Sequence, residues 1–263
     1  DGDDRVFSIN DLSDYGRFRR AAIGKQRALI MGAGLIGCEF ANDLANGGIR
    51  TEVVAPCEHI LPGLLPPAAA QAVQQGLESL GVRFHLGPLV TRIERHDDGV
   101  RATLSNGEVI DADVVLSAIG LRPRLDLAVK AGLKVNRGIC VDQTLQTSET
   151  DIYAHGDCAE IEGHVLLYVL PLMTSARALA KTLVGDTTRA SFGAMPVTIK
   201  TPVVPVVAAL PAANAAGEWH IEAEGCDVQA EFRAPEGDLL GYALTGGKLS
   251  NKVALNKQLP PLL

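Results

Sequence analysis

Residues 27–37, RALIMGAGLIG, join a short apolar run to a glycine-rich turn. The run predicts a buried strand. Gly32, Gly34 and Gly37 then form the pattern G-x-G-x-x-G, and apolar residues continue at helical spacing. A second apolar strand, TEVVA at 51–55, follows about twenty residues later. This order of strand, turn, helix and strand is the context in which the pattern predicts a dinucleotide-binding unit.

Each glycine of the motif has its own physical role. Gly32 permits a tight turn, Gly34 lets the backbone approach a pyrophosphate, and Gly37 lets the helix pack closely on the strand. The first helical residues, Leu35 and Ile36, offer N–H groups without helical partners, and the helix dipole adds about half a positive charge. The motif therefore predicts a phosphate site for a dinucleotide, and a glycine-rich turn without a ligand is the alternative.

Composition and charge exclude several classes of protein. The chain has 263 residues, of which 47% are hydrophobic and 21% charged, so a folded globular protein is expected. The net charge is −7 and no basic stripe is visible, which argues against nucleic-acid binding. No apolar run reaches the ~18–20 residues that span a bilayer, and the acidic start DGDDRVFSIN is unlike a signal peptide. We expect no membrane span and a cytoplasmic location.

The cysteines and histidines predict no metal site. The five cysteines, at positions 38, 57, 140, 158 and 226, have no CxxC spacing, and the six histidines form no HExxH motif. Reduced, buried thiols in a cytoplasmic protein are therefore expected.

The pattern changes in the middle of the chain. LVTRIERHDDGVRATLSNGEVIDADVVLSAIG alternates with period two, and Asn106-Gly107 is a strong hairpin signal. A three-stranded antiparallel meander is expected, followed by a buried strand at 113–120. A helix is predicted from about 171 to 184, and short strands separated by prolines at 195–245 predict an antiparallel unit. LSNKVALNKQL then closes the chain as a predicted helix.

Several segments together resemble a known family. GAGLIGCEFA, the meander, VVLSAIGLRPR and TSETDIYAHGDCAE occur in the order found in the FAD-dependent pyridine nucleotide–disulphide oxidoreductase superfamily. APCEHILPGLLP, LLYVLPLM, MPVTIKTP and a short C-terminal unit make the NAD(P)H:rubredoxin reductases the most similar group. The resemblance covers nearly the whole chain.

The resemblance implies an oxidoreductase that passes electrons from NADH or NADPH through FAD to rubredoxin or a similar one-electron carrier protein. Another NAD(P)H flavin reductase, of the ferredoxin reductase or the NADH oxidase and peroxidase type, is an alternative, as is an inactive nucleotide-binding fragment. Glu52 and Glu58 flank Ala55, the usual place of a ribose-binding acid, and no Arg pair lies nearby, which slightly favours NADH.

The resemblance also implies contacts with the cofactors. Thr147 to Asp157 matches a segment that returns to FAD, so Asp157 is expected at a ribityl hydroxyl. Glu39 is expected beside the nicotinamide, the Val169 N–H at the flavin pyrimidine, and Lys200 beside Glu39 or reduced flavin. From the residues alone, an exposed helix charge, a core valine and a surface lysine remain alternatives for these three. The expected contacts outside the glycine motif are Glu39, Gly120, Gly156, Asp157, Val169 and Lys200.

The C-terminal lysines are candidates for binding the carrier. The last 25 residues contain Lys248, Lys252 and Lys257 and no Asp or Glu. Carriers of the rubredoxin type are acidic, so these lysines would attract them if Lys248 and Lys252 share a helical face. A solvated charged surface is the alternative.

These expectations combine into an α/β architecture. Residues 25–120 are predicted to form a Rossmann-like NAD(P)-binding domain with an antiparallel meander. Residues 1–24 would end a first FAD-domain segment, 121–190 would form the second FAD-binding segment of a partial FAD domain, and 191–263 would form a small α+β interface domain. The first glycine motif of the family is absent, so the resemblance implies a missing N-terminal FAD domain. The oligomeric state is left open.

Overall fold

The computed structural model describes residues 4–212 and 214–263, which divide into two compact units. The first comprises the described part of Asp1–Leu121 together with Pro196–Leu259, and the second comprises Arg122–Met195 with Pro260–Leu263. Within the described ranges, no helix has the length and apolar character needed to cross a membrane.

The first unit begins with alternating strands and helices. In chain order these are β1 (Val6–Ser8), α1 (Leu12–Ala22), β2 (Arg27–Met31), α2 (Leu35–Asn46), β3 (Arg50–Ala55), α3 (Pro67–Ser79) and β4 (Arg83–Leu86). The predicted meander follows as β5 (Val90–His96), β6 (Gly99–Leu104) and β7 (Val109–Ala112), and the predicted buried strand as β8 (Val114–Ser117).

Five of these strands form a parallel sheet in the order β1-β8-β2-β3-β4. The chain leaves β2 towards β3 on one side, and β8 returns on the other side. Such a reversal of strand order is where open α/β sheets bind ligands, at the carboxyl ends of the strands. On one face of the sheet, Leu29, Val54 and Val115 pack against Val100 and Ala102 of the meander. The other face packs against the helices.

β1 and α1 belong to this parallel-sheet unit. Asp11 caps α1 by accepting a hydrogen bond from the Asp14 N–H at 2.9 Å. The Phe18 ring makes edge-to-face contacts with Phe7 of β1 and Phe40 of α2, at 5.8 and 5.6 Å. Because of these contacts, the boundary expected at residue 25 does not separate two bodies in the structure.

The second unit contains a small sheet and two helices. Its elements are α4 (Asp126–Lys130), β9 (Ile139–Val141), β10 (Ala159–Ile161), β11 (His164–Val165) and α5 (Val169–Leu183). The strands lie in the order β11-β10-β9. The end of the chain joins this unit, because the Phe192 N–H donates to the carbonyl of Leu263 and the Leu262 N–H donates to the carbonyl of Phe192. The expected 191–263 unit therefore lacks its last four residues.

The remaining strands form the predicted antiparallel sheet. They are β12 (Val197–Ile199), β13 (Val206–Ala209), β14 (Glu218–Glu224), β15 (Asp227–Arg233) and β16 (Leu239–Thr245), in the order β12-β13-β16-β15-β14. The closing helix α6 (Lys252–Asn256) is shorter than predicted, because a 3-10 segment, Gly246–Asn251, precedes it. Gly246 has φ +56, and the Gly247 N–H donates to the Asp227 carboxylate at 2.8 Å, so these residues follow a different path.

Helix α3 joins the parallel sheet of the first unit to its C-terminal antiparallel sheet. Its buried residues are mostly small, and they share one core with Ile199 and Val206 of the C-terminal sheet and with Val204 of the connection between β12 and β13. A Cβ on Gly76 would lie 2.4 Å from Val204 Cγ2. The sequence predicted separate domains on either side of residue 191. Because of this close approach, α3 and the C-terminal sheet belong to one compact unit.

The contact at Gly76 predicts a defined loss of stability. Gly76→Ala should lower the free energy of unfolding by about 1–3 kcal/mol, because the new methyl overlaps a stiff, buried valine. Gly16→Ala in α1 is the matched control. Its Cβ would lie 3.6 Å from the nearest atom, the flexible Arg20 Nη1, so helix propensity should raise stability by about 0.5–1 kcal/mol. Urea denaturation of both variants measures the difference, and equal effects would contradict the packing argument.

Candidate nucleotide-binding site

The turn between β2 and α2 requires glycine at two positions. Gly32 has φ +111, and a Cβ there would lie 2.5 Å from the backbone oxygen of Ala118. A Cβ on Gly37 would lie 2.0 Å from the backbone oxygen of Gly32. The first glycine makes the turn and the third allows the helix to touch the strand, as the motif predicts.

Gly34 differs, because a Cβ there would meet no atom within 4 Å. It is the N-cap of α2 and supplies no side-chain cap. The first intrahelical bond runs from the Cys38 N–H to the Gly34 carbonyl at 3.0 Å, so the N–H groups of Leu35, Ile36 and Gly37 lack helical partners. An open cradle of N–H groups at a helix N-terminus fits a pyrophosphate.

Gly120 lies beyond β8, at the same edge of the sheet. It has φ +113, and a Cβ there would also meet open space. The Ala118 N–H donates to the Met31 carbonyl at 2.8 Å and holds this segment beside the end of β2. Gly120 therefore lies on the side of β2 opposite to β3, where the other half of a dinucleotide would extend.

The two acids considered for the ribose have different surroundings. Glu52 Oε2 lies 2.8 Å from His85 Nε2 on β4, so its carboxylate already has a partner inside the sheet. Glu58 is exposed in the loop that follows Ala55. Of the two, Glu58 has the free carboxylate beyond the strand end.

The thiols near the turn are not set up for redox chemistry. Burial raises the pKa of Cys38 to about 12, and its Sγ donates to the Ala33 carbonyl at 3.5 Å. Burial also raises the pKa of Cys57. Because the thiolate is the reactive form, neither residue is suited to act as a nucleophile at neutral pH.

Glu39 and Lys200 lie together, but in an unexpected way. Glu39 Oε1 accepts a hydrogen bond from the backbone N–H of Lys200 at 2.8 Å, whereas the sequence predicted a contact of the lysine side chain. Lys200 is exposed directly after β12 and lies outside the strand. Both residues line a groove of about 600 Å³ with aromatic side chains from α1 and α2, Tyr15 and Phe40.

One further polar residue of α2 takes part in this contact. Asn42 is fully buried, and its Oδ1 accepts a hydrogen bond from the Val203 N–H at 3.3 Å. No motif signals it. The available signal is an amide one position after Ala41, on the otherwise apolar stripe that faces the core.

In the second unit, Gly156 and Asp157 form a 3-10 turn before β10. Gly156 has φ +80, and a Cβ there would lie 3.1 Å from Leu172 Cδ1 in the first turn of α5. Asp157 is exposed, and within the described part of the chain its carboxylate has no hydrogen-bond or ionic partner. The turn is thus packed beside the start of α5 with a free carboxylate.

Helix α5 begins at Val169, two residues before the predicted start at Pro171. Proline is compatible with this position, because the third N–H of a helix has no intrahelical partner to lose. Val169 is 74% exposed, so its side chain is not a core residue and its N–H is among the free donors of the first turn. The second unit therefore places this N-terminus and Asp157 in one region.

Two family models match the chain. Pyridine nucleotide-disulphide oxidoreductase covers residues 1–181, and the rubredoxin-binding C-terminal domain covers residues 189–259. This chain belongs to the pyridine nucleotide-disulphide oxidoreductase family. The resemblance inferred from the sequence is therefore confirmed.

Similar proteins agree with this family. The chain is 58% identical to the rubredoxin-NAD(+) reductase of Alcanivorax borkumensis, over 98% of its own length and 68% of that protein. A ferredoxin reductase from Rhodopseudomonas palustris has the same fold, with a TM-score of 0.86 and 24% identity over 97% of this chain and 65% of that one. An FAD-dependent pyridine nucleotide-disulphide oxidoreductase from Desulfovibrio vulgaris has a TM-score of 0.80 and 26% identity, over 97% and 71%. The chain thus spans about two thirds of its relatives.

The similar proteins confirm the class of enzyme, whereas the contacts of individual residues with the cofactors stay predictions. The α/β fold, the oxidoreductase class and the use of FAD and a nicotinamide dinucleotide are confirmed for the family. The rubredoxin-binding domain confirms the expected kind of partner. The roles of Gly34, Glu39, Asp157, Val169 and Lys200 are consistent with their geometry and stay predictions.

The open side of Gly34 predicts a selective loss of NADH binding. Gly34→Val should fold, because its side chain enters open space, but it should occupy the pyrophosphate site. We expect the Kd for NADH to rise at least about 100-fold, or about 2.7 kcal/mol. Calorimetric titration measures the Kd, and circular dichroism confirms the fold.

Gly193→Val is the matched control, since a Cβ there also meets no atom within 4 Å and the residue lies outside the turn. It should bind NADH normally. A folded Gly34→Val variant with unchanged affinity would show that the turn does not hold the pyrophosphate.

Proposed function

We propose that this chain provides the nicotinamide-binding and carrier-binding parts of an FAD-dependent reductase that takes electrons from NADH to a rubredoxin-like carrier. The hydrogen bond between Glu39 Oε1 and the Lys200 N–H carries the proposal. It joins the helix that begins at the phosphate cradle to the segment that matches the rubredoxin-binding domain. Donor and acceptor functions therefore meet in one compact unit.

The first unit would hold the donor. The N–H groups of Leu35, Ile36 and Gly37 would bind the pyrophosphate, and Gly34 would let it approach. The exposed Glu58 would accept a hydrogen bond from a ribose 2′-hydroxyl, whereas the 2′-phosphate of NADPH would be repelled. This arrangement favours NADH over NADPH.

The second unit would hold part of the flavin. The Asp157 carboxylate can accept a hydrogen bond from a ribityl hydroxyl, and Gly156 lets the chain come close. The Val169 N–H, at the positive end of α5, can donate to a carbonyl oxygen of the flavin ring. When bound, FAD supplies the conversion from a two-electron donor to a one-electron acceptor. The expected role of Lys200 beside reduced flavin is part of this proposal, as a positive charge that would stabilise the reduced ring.

The carrier would receive electrons without a protein dithiol. Cys38 is buried with a raised pKa, and all five cysteines are free thiols. A direct transfer to a carrier protein fits this chemistry better than disulphide reduction. Free thiols also support the cytoplasmic location as part of the proposal.

Two of the three C-terminal lysines are available to the carrier. Lys248 pairs with Glu222 of β14 at 3.5 Å and lies in the 3-10 segment, so it does not share an α-helical face with Lys252. In the described part of the chain, Lys252 and Lys257 have no ionic partner, and Val253 between them is 66% exposed. We therefore assign carrier attraction to Lys252 and Lys257.

Acceptor specificity tests the proposed function. The FAD-loaded enzyme should reduce rubredoxin with NADH at a kcat/KM at least about 100-fold above that for a ferredoxin, oxygen or peroxide. Stopped-flow absorbance follows flavin and carrier separately. Faster reduction of ferredoxin or oxygen would favour the other reductase types. If NADH does not bleach the bound flavin, the protein would be an inactive nucleotide-binding fragment.

The lysine assignment predicts a salt-dependent encounter rate. Lys252→Glu/Lys257→Glu should lower the second-order rate of rubredoxin reduction about tenfold at low salt, and the loss should shrink as the Debye length falls from ~10 Å at 0.1 M to ~3 Å at 1 M. Flavin reduction by NADH should not change.

Lys25→Glu/Lys130→Glu is the control, because it changes the net charge equally outside the matched carrier-binding domain. If both double variants slow the reaction to the same extent, only the net charge matters and Lys252 and Lys257 do not form the docking surface.

A further inference from the structure

The connection between β12 and β13 depends on α2 for two of its hydrogen bonds. The N–H groups of Thr201 and Val204 are satisfied within the connection, by the carbonyls of Ile199 and Thr201 at 3.0 Å. Pro202 has no N–H. The remaining donors, Lys200 and Val203, point to α2.

Two side chains one helical turn apart receive these donors. Glu39 accepts from the Lys200 N–H at 2.8 Å, and Asn42 accepts from the Val203 N–H at 3.3 Å. Residues three apart lie on the same side of a helix, so the pair forms a fixed acceptor edge. The connection is therefore attached at both ends of the segment that carries Lys200.

Asn42 is the rigid half of this attachment. Its side chain is fully buried, and its Nδ2 donates to Asp43 Oδ1 at 3.3 Å, so the amide orientation is determined from both ends. Glu39 is only half-buried and has a longer side chain. A buried amide is costly unless it is hydrogen-bonded, so its presence here points to a requirement of the connection.

We propose that Asn42 is a positioning residue that fixes the connection 200–204 and thereby holds Lys200 at the groove that it lines together with Glu39. The inference rests on the proposed function for the role of Lys200, but the positioning itself does not. An apolar residue in place of Asn42 would leave the Val203 N–H without its partner. Of the two hydrogen bonds from the connection to α2, only the one between Lys200 and Glu39 would remain, and Lys200 would lose its defined position.

Amide exchange in this chain tests the positioning directly. In Asn42→Ala, the Val203 amide should exchange about fivefold faster or more, which is the effect of one lost hydrogen bond, and the Lys200 amide should also accelerate. Asn46→Ala is the matched control, since Asn46 is exposed one turn further along the same helix. It should leave both amides unchanged.

A double variant that swaps the two side chains distinguishes the loss of this hydrogen bond from general destabilisation. Asn42→Asp/Asp43→Asn keeps an oxygen acceptor for Val203 and an amide next to it, and should restore slow exchange at both amides. The positioning role is overturned if hydrogen exchange in Asn42→Ala becomes faster at the Val203 amide but not at the Lys200 amide. It is also overturned if the folded double variant Asn42→Asp/Asp43→Asn fails to restore slow exchange.

A double-mutant cycle tests the consequence in the FAD-loaded enzyme. Asn42→Ala and Lys200→Gln should each slow flavin reduction by NADH, and Asn42→Ala should add no further loss in the Lys200→Gln background. Additive losses would show that Asn42 does not act through Lys200. If Lys200→Gln alone has no effect while the exchange results hold, the assigned role of Lys200 fails and the positioning by Asn42 stands.

Discussion

The contact between Gly37 and the carbonyl oxygen of Gly32 is the constraint on which the nucleotide-binding part depends. A side chain at Gly37 would begin 2.0 Å from that oxygen, so α2 can start directly at the end of β2 only with glycine there. This approach directs the free N–H groups of the helix towards the edge where the strand order reverses. It also determines where the second turn of α2, with Glu39 and Asn42, meets the C-terminal sheet.

Much of the fold could be predicted because local signals agree with the final packing. β2 ends directly before the glycine turn, as the sequence predicts, and the Asn106-Gly107 turn joins β6 to β7. β1 was missed, since a three-residue strand has no period of its own and depends on pairing with β8. The start of α5 was misplaced because proline is equally compatible with the first and third helical positions. These errors concern elements whose limits are set by neighbours distant in sequence.

In the candidate site, too, features set by local sequence could be predicted, and features set by distant residues could not. The geometry of Gly32 and Gly37 could be predicted, because the turn and the close packing are properties of a single strand–helix junction. The partner of Glu39 was predicted only in part, since charge suggested the Lys200 side chain whereas the backbone N–H makes the bond. Asn42 was not found at all. Its function depends on an unpaired N–H 161 positions away, and no periodicity or motif reports a demand of that kind.

Because of the small residues of α3, the boundary of the family model does not coincide with the boundary of a compact structural unit. The rubredoxin-binding model begins at residue 189, yet Val204 lies against Gly76 and shares its core with the helix. Excision of residues 189–259 would expose the apolar face of α3 that packs against Val204 and the C-terminal sheet. If two relatives were recombined at this boundary, the C-terminal sheet of one would have to pack against the alanines and the glycine of α3 from the other. A recombinant that folds would therefore have to take α3 and the C-terminal sheet from the same parent.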